Sequence, residues 1–467
     1  MIDVITLETS SLGDRSYLAT DGQVAVVVDP QRDIDRVLDL VARLGVRVAH
    51  VLETHVHNDY VSGGLELAQR TGATYVLPAG SDADFAHTAV GDGEELTAGD
   101  MALRALLTPG HTHHHTSYTL ARGGQVEAVF TGGSMLYGST GRTDLVGPEH
   151  TLGLTHDQHR SVRRLAAELP ASAAVYPTHG FGSFCSATPT SGDASTVGEQ
   201  AATNPALTQD EQEFVTALIA GLDAYPAYYA HMGVANRRGP APVDLSMPAQ
   251  ADGGELRRRI DAGEWVVDLR ARRAFAAGHL AGSLGFELSG SFVTYLGWLH
   301  AWGTPLTLLG ESEQQVLDAR RELVRIGVDE VGASVGDVEA LAGGQDLRTY
   351  PVTDADGLAG AVRAAEAGDT TATSGQPLVV LDTRLGSERA KGGVRGSVHV
   401  PLHELAERAG DLPDGQLWIH CGSGYRASIA ASLLQRAGRD VVLVDDAYDH
   451  IAATGLTDAQ TGQTQDT

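Results

Sequence analysis

The sequence contains few lysines, cysteines and aromatic residues. Lys391 is the one lysine among 33 basic residues, so nearly every positive charge is a guanidinium, which we attribute to genomic composition. The two cysteines, Cys185 and Cys421, are too few for a disulfide framework and lie far apart, as expected in a reducing compartment. The sequence also lacks an apolar run of membrane-spanning length and the n-region and h-region of a signal peptide. We therefore expect a cytoplasmic protein.

Positive charge is scarce relative to negative charge. The formal net charge is −27 at pH 7, and a field of that sign repels nucleic acid and anionic membranes. We expect neither as a partner and a small substrate instead, while the sequence leaves a homo-oligomer open. The length of 467 residues and the 42% hydrophobic content predict roughly two to four globular domains.

The first 180 residues alternate strand-like and helix-like segments. Residues 24–28 (VAVVV) form an apolar run that ends before Pro30. Residues 34–44 then place apolar side chains on one helical face, with Gly45 as the expected C-cap. A second strand over 46–52 runs directly towards His55. This alternation predicts an α/β domain that carries ligands on loops at strand ends.

An internal repeat follows a Pro/Gly-rich segment at 237–254. VVDLR at 266–270 recurs as VVLDTR at 379–384, and glycines follow each aspartate at the same two spacings. Two related α/β domains in tandem are the economical interpretation. We place the domains at 1–240, 250–345 and 352–457, with a polar, disordered tail at 458–467.

A cysteine-containing loop lies in the second copy of the repeat, in the segment HCGSGYRAS. An apolar strand ends at the cysteine, glycines follow, and a helix begins, so backbone N–H groups and the helix N-terminus are expected to face the sulfur. Such surroundings favour a thiolate or persulfide, and an arginine adds positive charge at the rim. The candidate catalytic residues are Cys421, Gly422, Ser423, Gly424, Tyr425 and Arg426.

This loop resembles the C-x-x-G-x-R loop of the rhodanese family, and the resemblance covers roughly residues 250 to 455. It implies a sulfurtransferase that carries sulfane sulfur on Cys421 and takes thiosulfate or a low-molecular-weight thiol persulfide. Related phosphatases have one more residue between cysteine and arginine. The first copy has Gly310 and Gln315 at the positions of Cys421 and Arg426. Without a nucleophile it is expected to be a structural spacer or a docking surface.

Histidines cluster at three expected strand ends in the first 180 residues. THVHNDY supplies His55, His57 and Asp59, and the alternating spacing predicts that both histidines point the same way. TPGH supplies His111 and YPTH supplies His179. These five residues are the candidate metal ligands. The neighbouring HH pair at 113–114 is expected to be solvated.

The histidine pattern resembles the metallo-β-lactamase superfamily, and within it the persulfide dioxygenases and hydroxyacyl-glutathione hydrolases. The resemblance implies an αββα fold over 1–240, followed by two α/β rhodanese-like domains. GRTDL at 141–145 is similar to the dioxygenase branch. A fused rhodanese points the same way, because it can deliver or accept the persulfide sulfur that this branch oxidises.

Two departures from the family pattern restrict the metal site. The final histidine of H-x-H-x-D-H is Tyr60, and the aspartate of T-G-D is Gly133. We therefore expect one metal ion, iron or zinc, rather than two. An aspartate restored at position 133 would be expected to raise iron affinity.

Three hypotheses follow from the sequence. The first is an enzyme of persulfide metabolism that couples a dioxygenase-like metal domain to a Cys421 sulfurtransferase. The second is a zinc-dependent thioester hydrolase with an accessory rhodanese. The third is an N-terminal domain without catalysis that binds a partner or presents the rhodanese.

Overall fold

The structure is a computed structural model that describes residues 2–190, 192–373 and 375–458. The chain forms two compact units. The first runs to Asp244 and includes Arg321–Asp329, and the second comprises Leu245–Arg320 and the chain from Glu330 onward. Of the predicted disordered tail, residues 459–467 lie outside the described residues. The proposed boundaries between the two repeat copies stay a prediction.

The first unit contains two sheets with helices on their outer faces. Its strands are β1 (Asp3–Thr9), β2 (Asp14–Thr20), β3 (Val24–Val28), β4 (Arg47–Leu52), β5 (Thr74–Pro78), β6 (Thr88–Val90), β7 (Glu95–Ala98), β8 (Met101–Leu107), β9 (Thr116–Arg122), β10 (Gln125–Gly132), β11 (Met135–Leu136), β12 (Ser139–Thr140) and β13 (Ala174–Pro177). Its helices are α1 (Asp35–Leu44), α2 (Gly64–Thr71), α3 (Thr151–Glu168), α4 (Val197–Thr203), α5 (Pro205–Thr208), α6 (Glu211–Gly221) and α7 (Tyr229–Arg238).

One sheet has the order β1-β2-β3-β4-β5-β6 and the other β13-β10-β9-β8-β7, with a separate β11-β12 pair. Side chains from the two sheets share one buried core, in which Val26 of β3 packs in the same cluster as Phe130 of β10. Val27, the next residue along β3, packs in a second buried core together with side chains of α1. A third core lies between β10 and α3. The result is the four-layer αββα fold that the family resemblance implied.

Local sequence explains the elements that lead to the site. β3 covers 24–28 as predicted, because its apolar residues alternate between two buried faces. Helix α1 ends at Gly45, which adopts the left-handed conformation at φ 67° expected of a C-cap glycine. Leu44 departs from the predicted apolar face, since it is 40% exposed at the last turn.

The remaining elements lie between Gly253 and Ala453. The strands are β14 (Trp265–Asp268), β15 (Leu284–Gly285), β16 (Leu306–Gly310), β17 (Val331–Val335), β18 (Val352–Thr353), β19 (Leu378–Asp382), β20 (Val398–His399), β21 (Gln416–His420) and β22 (Val441–Val444). The helices are α8 (Gly253–Asp261), α9 (Arg272–Ala277), α10 (Phe292–Leu299), α11 (Glu313–Arg325), α12 (Val338–Ala342), α13 (Ala355–Glu366), α14 (Gly386–Ala390), α15 (Leu405–Arg408), α16 (Tyr425–Arg436) and α17 (Tyr448–Ala453).

These strands form two parallel sheets with related orders. The first is β15-β14-β16-β17, and the second is β18-β22-β21-β19-β20. In both sheets, one strand ends at the aspartate of the Asp-x-Arg motif. That strand, β14 or β19, pairs with a two-residue strand on one side and with the next long strand on the other. Within the described ranges, we find no helix whose length and apolar character would allow it to cross a bilayer.

Candidate functional site

The candidate metal ligands come from loops that follow strands of the first unit. His55 follows β4, His111 follows β8 and His179 follows β13. All three side chains are buried. One nitrogen of each ring lies within 4.8 Å of the others, so the fold brings these three predicted residues together.

Each of these three rings is oriented through its Nδ1 atom. Nδ1 of His55 lies 2.9 Å from the hydroxyl of Thr54, and Nδ1 of His179 lies 2.9 Å from Asp14 Oδ1. Nδ1 of His111 lies 2.7 Å from the backbone carbonyl of Arg142. Such contacts fix the ring and leave Nε2 to bind a metal.

The Nε2 atoms of the three rings face one another. The Nε2 atoms of His55 and His179 are 3.2 Å apart, and Nε2 of His111 is buried without a hydrogen-bond partner among the described residues. Burial, followed by the charges of neighbouring histidines, holds the pKa values of His55 and His111 well below the usual range. Both rings are therefore neutral, which is the metal-binding form of imidazole.

His57 lies beside this trio but faces a different group. Its Nε2 atom is 3.2 Å from Asp29 Oδ1 and 3.2 Å from Glu53 Oε2, and the Tyr60 hydroxyl lies 3.0 Å away. Burial alone would lower the pKa of His57, but the two carboxylates outweigh it and raise the pKa to about 10. Tyr60 also stacks on the ring, with centroids 4.3 Å apart.

The Nε2 atoms of His55 and His57 contact different groups, although the sequence predicted that the two side chains point the same way. That prediction assumed strand geometry, whereas β4 ends at Leu52 and the histidines lie in a loop. Side chains alternate regularly only in an extended strand. His57 as a metal ligand stays a prediction.

Asp59 lies next to both histidines. Its carboxylate is 3.1 Å from His179 Nδ1 and 3.9 Å from His57 Nδ1, and these three residues form a second group with metal-ligand spacing. Burial would lower the pKa of His179, but Asp59 and Asp14 outweigh it and raise the pKa to about 9.

Gly133 is in direct contact with the ring of His111. A Cβ atom at position 133 would lie 2.3 Å from His111 Cδ2 and 2.9 Å from His111 Nε2. Real Cβ atoms do not approach other atoms this closely. The ring therefore occupies the space that a side chain at position 133 would need, and the family's aspartate cannot be added without moving His111.

Several buried residues around His55, His111 and His179 were not predicted from the sequence. His115 accepts a hydrogen bond at Nε2 from the Gly133 N–H at 2.9 Å, although HH at 113–114 is exposed as expected. Asp29 accepts hydrogen bonds from the backbone N–H and the hydroxyl of Thr54, both at 2.7 Å. A polar residue directly after a buried strand, as Asp29 follows β3, is a signal that could have identified it. Glu53 follows the buried end of β4 in the same way, whereas Asp14 had no comparable signal.

The three-histidine donor set fits one metal ion. The orphaned Nε2 of His111 and the neutral state of two rings supply lone pairs at a buried point. Next to it, a cavity of about 590 Å³ is lined by Val56 and Asn58 from the H-x-H-x-D loop. Two arginines, Arg237 and Arg238, and two aspartates, Asp82 and Asp84, also line this cavity.

The cysteine loop lies in the second unit, between β21 and α16. Cys421 is fully buried, Gly422 is half-buried and Ser423 is exposed. Gly424 caps α16 at φ 86°, so the helix begins at Tyr425 and its N-terminal partial positive charge lies at the loop. The strand, the loop and the helix thus follow in the predicted order, and the facing of backbone N–H groups towards the sulfur stays a prediction.

Arg426 is paired with a carboxylate. Its Nη1 and Nη2 atoms donate to the two oxygens of Glu388 at 2.5 and 2.7 Å. Burial would lower the pKa of Arg426, but the bonds to Glu388 outweigh it and raise the pKa. The sequence analysis did not identify Glu388.

Residues of the first repeat copy contact the loop. The Tyr425 hydroxyl donates to the backbone carbonyl of Glu287 at 3.0 Å. Arg272 Nε donates to Asp445 Oδ1 at 2.6 Å, and the same carboxylate would meet a Cβ atom on Gly424 at 2.3 Å. Helix α10 is largely buried, and the ring centroid of its Tyr295 lies 6.0 Å from that of Tyr425.

The equivalent loop of the first copy has no nucleophile. β16 ends at Gly310, and Gln315 donates to the backbone carbonyl of Leu269 at 3.1 Å. Cys185 is fully buried in the first unit, where burial raises the pKa of its thiol well above the usual value. Cys421 is therefore the cysteine that combines a glycine loop, a helix N-terminus and an arginine.

Comparisons with known proteins agree with both halves of this description. Residues 14–179 match the metallo-beta-lactamase superfamily, and residues 366–454 match the rhodanese-like domain. The chain is 29% identical over 245 residues to the persulfide dioxygenase ETHE1, mitochondrial, of Homo sapiens, which covers 52% of this chain and 82% of that protein. It is 30% identical over 164 residues to the probable polyketide biosynthesis zinc-dependent hydrolase BaeB of Bacillus velezensis, which covers 34% of this chain and 68% of that protein.

A solved structure supports the fold. A metallo-beta-lactamase from Staphylococcus aureus superposes with a TM-score of 0.65 at 24% identity, covering 72% of this chain and 99% of that one. The sequence matches, the αββα layers and the cysteine loop point to the same conclusion. This chain belongs to the metallo-β-lactamase superfamily and carries a C-terminal rhodanese-like domain.

Proposed function

We propose that this chain is an enzyme of persulfide metabolism. Cys421 carries sulfane sulfur as a covalent persulfide, and the first unit acts on a low-molecular-weight thiol persulfide at a site with one metal ion. The observation that carries the proposal is the Cys421 loop, in which the cysteine lies between the end of β21 and the N-terminus of α16, with Arg426 in the first turn of that helix. The similarity of the first unit to a persulfide dioxygenase supports the same substrate class.

The sulfur-transfer step needs only residues of the loop and a donor. The Cys421 thiolate attacks the outer sulfur of the donor, and a new sulfur–sulfur bond forms. The donor's own bond to that sulfur breaks, and its electron pair leaves with the thiolate or sulfite leaving group. The N-terminus of α16 stabilises the negative charge on the entering and retained sulfur atoms. An acceptor thiol or cyanide then takes the outer sulfur and restores Cys421.

In the first unit, His55, His111 and His179 would hold the metal ion. When bound, iron would supply oxygen activation and zinc would supply a Lewis acid for hydrolysis. The protein itself orients the three rings through Thr54, Arg142 and Asp14. The cavity lined by Val56 and Asn58 would receive the substrate beside them.

A zinc-dependent thioester hydrolase is a second candidate for the first unit. The observation that favours it is the contact between His111 and Gly133, because it leaves no room for the carboxylate of an iron triad beside the three histidines. Three histidines with one open position are a common catalytic zinc arrangement.

We also infer that residues 250–345 form a rhodanese-like domain without a nucleophile and that 352–457 form the one with Cys421. The shared strand order and the pairing of each Asp-x-Arg motif support this division. The contact of Tyr425 with Glu287 supports a structural role for the first copy.

Sulfur transfer from thiosulfate to cyanide tests the role of Cys421. Cys421→Ser should abolish the activity, because a hydroxyl cannot hold a sulfane sulfur. Cys185→Ser is the matched control and should retain it, since Cys185 is buried in the other unit. Equal activity of wild type and Cys421→Ser would refute the proposal.

Elemental analysis of protein purified without added metal tests the first unit. Iron together with persulfide-dependent oxygen uptake supports the dioxygenase, and zinc together with thioester turnover supports the hydrolase. A protein that binds no stoichiometric metal under any condition would refute both.

A further inference from the structure

The arginine of the cysteine loop does not present an unpaired positive charge. Both terminal nitrogens of Arg426 bind the carboxylate of Glu388, which lies on α14. A Cβ atom on Gly422 would lie 2.9 Å from Arg426 Nη2 and 3.4 Å from Glu388 Oε1. The positive and the negative group of the pair therefore both reach the backbone next to Cys421.

Glu388 is held in its ionised form. Its half-buried position would raise its pKa, but the bonds to Arg426 outweigh burial and lower the pKa. Its carboxylate also accepts the Leu385 N–H at 2.9 Å. The charges of the pair cancel, so a dianion approaching the sulfur meets Glu388 as well as Arg426.

In the internal repeat, the copy that has Arg426 also has Glu388, and the other copy has neither residue. Glu388 lies six residues after Asp382, and the residue six after Asp268 in the first copy is Ala274. The copy that lacks the cysteine and the arginine therefore also lacks the glutamate.

One other ion pair of the repeat is present in both copies. Asp268 pairs with Arg270 at 2.7 Å, and Asp382 pairs with Arg384 at 2.7 Å. The first copy has thus kept this ion pair and lost the pair that involves the loop arginine, together with the pair of Asp382 and Arg389, whose arginine is replaced by Phe275.

We propose that Glu388 determines the donor class of Cys421 by compensating the charge of Arg426, so that the loop favours monoanionic sulfur donors over the dianion thiosulfate. This inference rests on the proposed sulfurtransferase function. With either donor the Cys421 thiolate gains one sulfur, and the donor's leaving group departs with the electron pair of the broken bond. The two donor classes differ only in the negative charge that the donor brings close to Glu388.

Two donors of similar shape but different charge allow the effect of donor charge to be measured. Thiosulfate is a dianion, and methanethiosulfonate replaces one of its oxygens by a methyl group and is a monoanion. Cyanide is the acceptor for both. Glu388→Gln should raise kcat/KM for thiosulfate by about tenfold, mainly through a lower KM, because a repulsive unit charge is removed close to the donor. The change for methanethiosulfonate should be clearly smaller.

Three further variants serve as controls. Glu388→Asp keeps the charge and should keep the wild-type donor ratio. Glu388→Ala is a second neutral variant in case the glutamine variant does not fold. Glu255→Gln removes the carboxylate of another glutamate–arginine pair, with Arg259 in α8, and should leave both donors unaffected.

The outcomes separate this inference from the proposed function. A shift of the donor ratio towards thiosulfate in the neutral variants alone supports the inference. An equal loss with both donors would mean that Glu388 only positions Arg426 and would overturn it, as would an unchanged ratio. A wild-type protein that transfers sulfur from neither donor would overturn the sulfurtransferase function as well.

Discussion

At the scale of single residues, the metal site is shaped by the contact of His111 with Gly133. The ring occupies the position where the family motif supplies an aspartate, and the Gly133 N–H is bound by His115. The site therefore depends on the absence of a side chain at position 133. This contact reverses the expectation that an added aspartate would strengthen iron binding.

Gly133→Asp should weaken metal binding by about tenfold or more, since the new Cβ displaces a ligand ring from its oriented position. Gly133→Ala adds the same Cβ without a carboxylate and is the matched control. Metal titration of both variants measures the effect. Tighter binding by the aspartate variant than by wild type would show that the ring moves aside and the carboxylate becomes a ligand.

A second residue-scale prediction concerns the hydroxyl of Tyr425. Tyr425→Phe removes its hydrogen bond to the Glu287 carbonyl and should lower the free energy of unfolding by about 1 kcal/mol. All four tryptophans lie between Trp265 and Trp418, so tryptophan fluorescence in urea reports on the second unit. Tyr350→Phe is the control, because the buried Tyr350 hydroxyl has no hydrogen-bond partner in the described chain. Equal losses in the two variants would argue against the Tyr425 contact.

At the scale of elements, helix α16 offers a comparison of its two ends. Gly424 precedes the helix at φ 86°, and a Cβ atom added there would lie 2.3 Å from Asp445 Oδ1, whereas Gly438 follows the helix at φ 83° with open space around it. Gly438→Ala should cost about 1 kcal/mol through backbone strain alone. Gly424→Ala should cost at least about 2 kcal/mol, because crowding adds to strain.

Urea unfolding followed by tryptophan fluorescence measures both variants, and sulfur transfer provides a second readout. The Gly424 variant should lose most activity, since the loop that holds Cys421 must shift, and the Gly438 variant should keep it. Equal stability losses with retained activity in both would mean that the loop accommodates a side chain without moving.

Elements defined by neighbouring residues could be predicted from the sequence. Strand β3, helix α1 with its Gly45 cap, and the strand–loop–helix around Cys421 follow from apolar periodicity, glycine conformation and capping. The three histidines that the structure brings together were also candidates, because each follows a strand-like run. These features depend on interactions within about one turn or one strand.

Contacts between distant residues could not be predicted. Asp14 binds His179 from 165 positions away, and Glu388 binds Arg426 across 38 positions. The direction of His57 depends on where β4 ends and on two carboxylates that only the fold places nearby. The steric conflict between Gly133 and His111 likewise exists only in three dimensions.

At the scale of the whole molecule, the two sites belong to different compact units. His111→Ala should lower bound metal sharply and leave thiosulfate-to-cyanide transfer intact, and Cys421→Ser should do the reverse. His113→Ala is the control for the first variant, because that neighbouring side chain is exposed. Metal analysis and the transfer assay on the same samples check this. Loss of sulfur transfer in His111→Ala alone would mean that the activity depends on the metal site.

The central claim is that Cys421 carries the sulfur, and intact mass after treatment with thiosulfate tests it most directly. Wild type and Cys185→Ser should each gain one sulfur atom, and cyanide should remove it. Cys421→Ser should gain none. A sulfur adduct on Cys421→Ser, or an adduct located on Cys185 in wild type, would contradict the account.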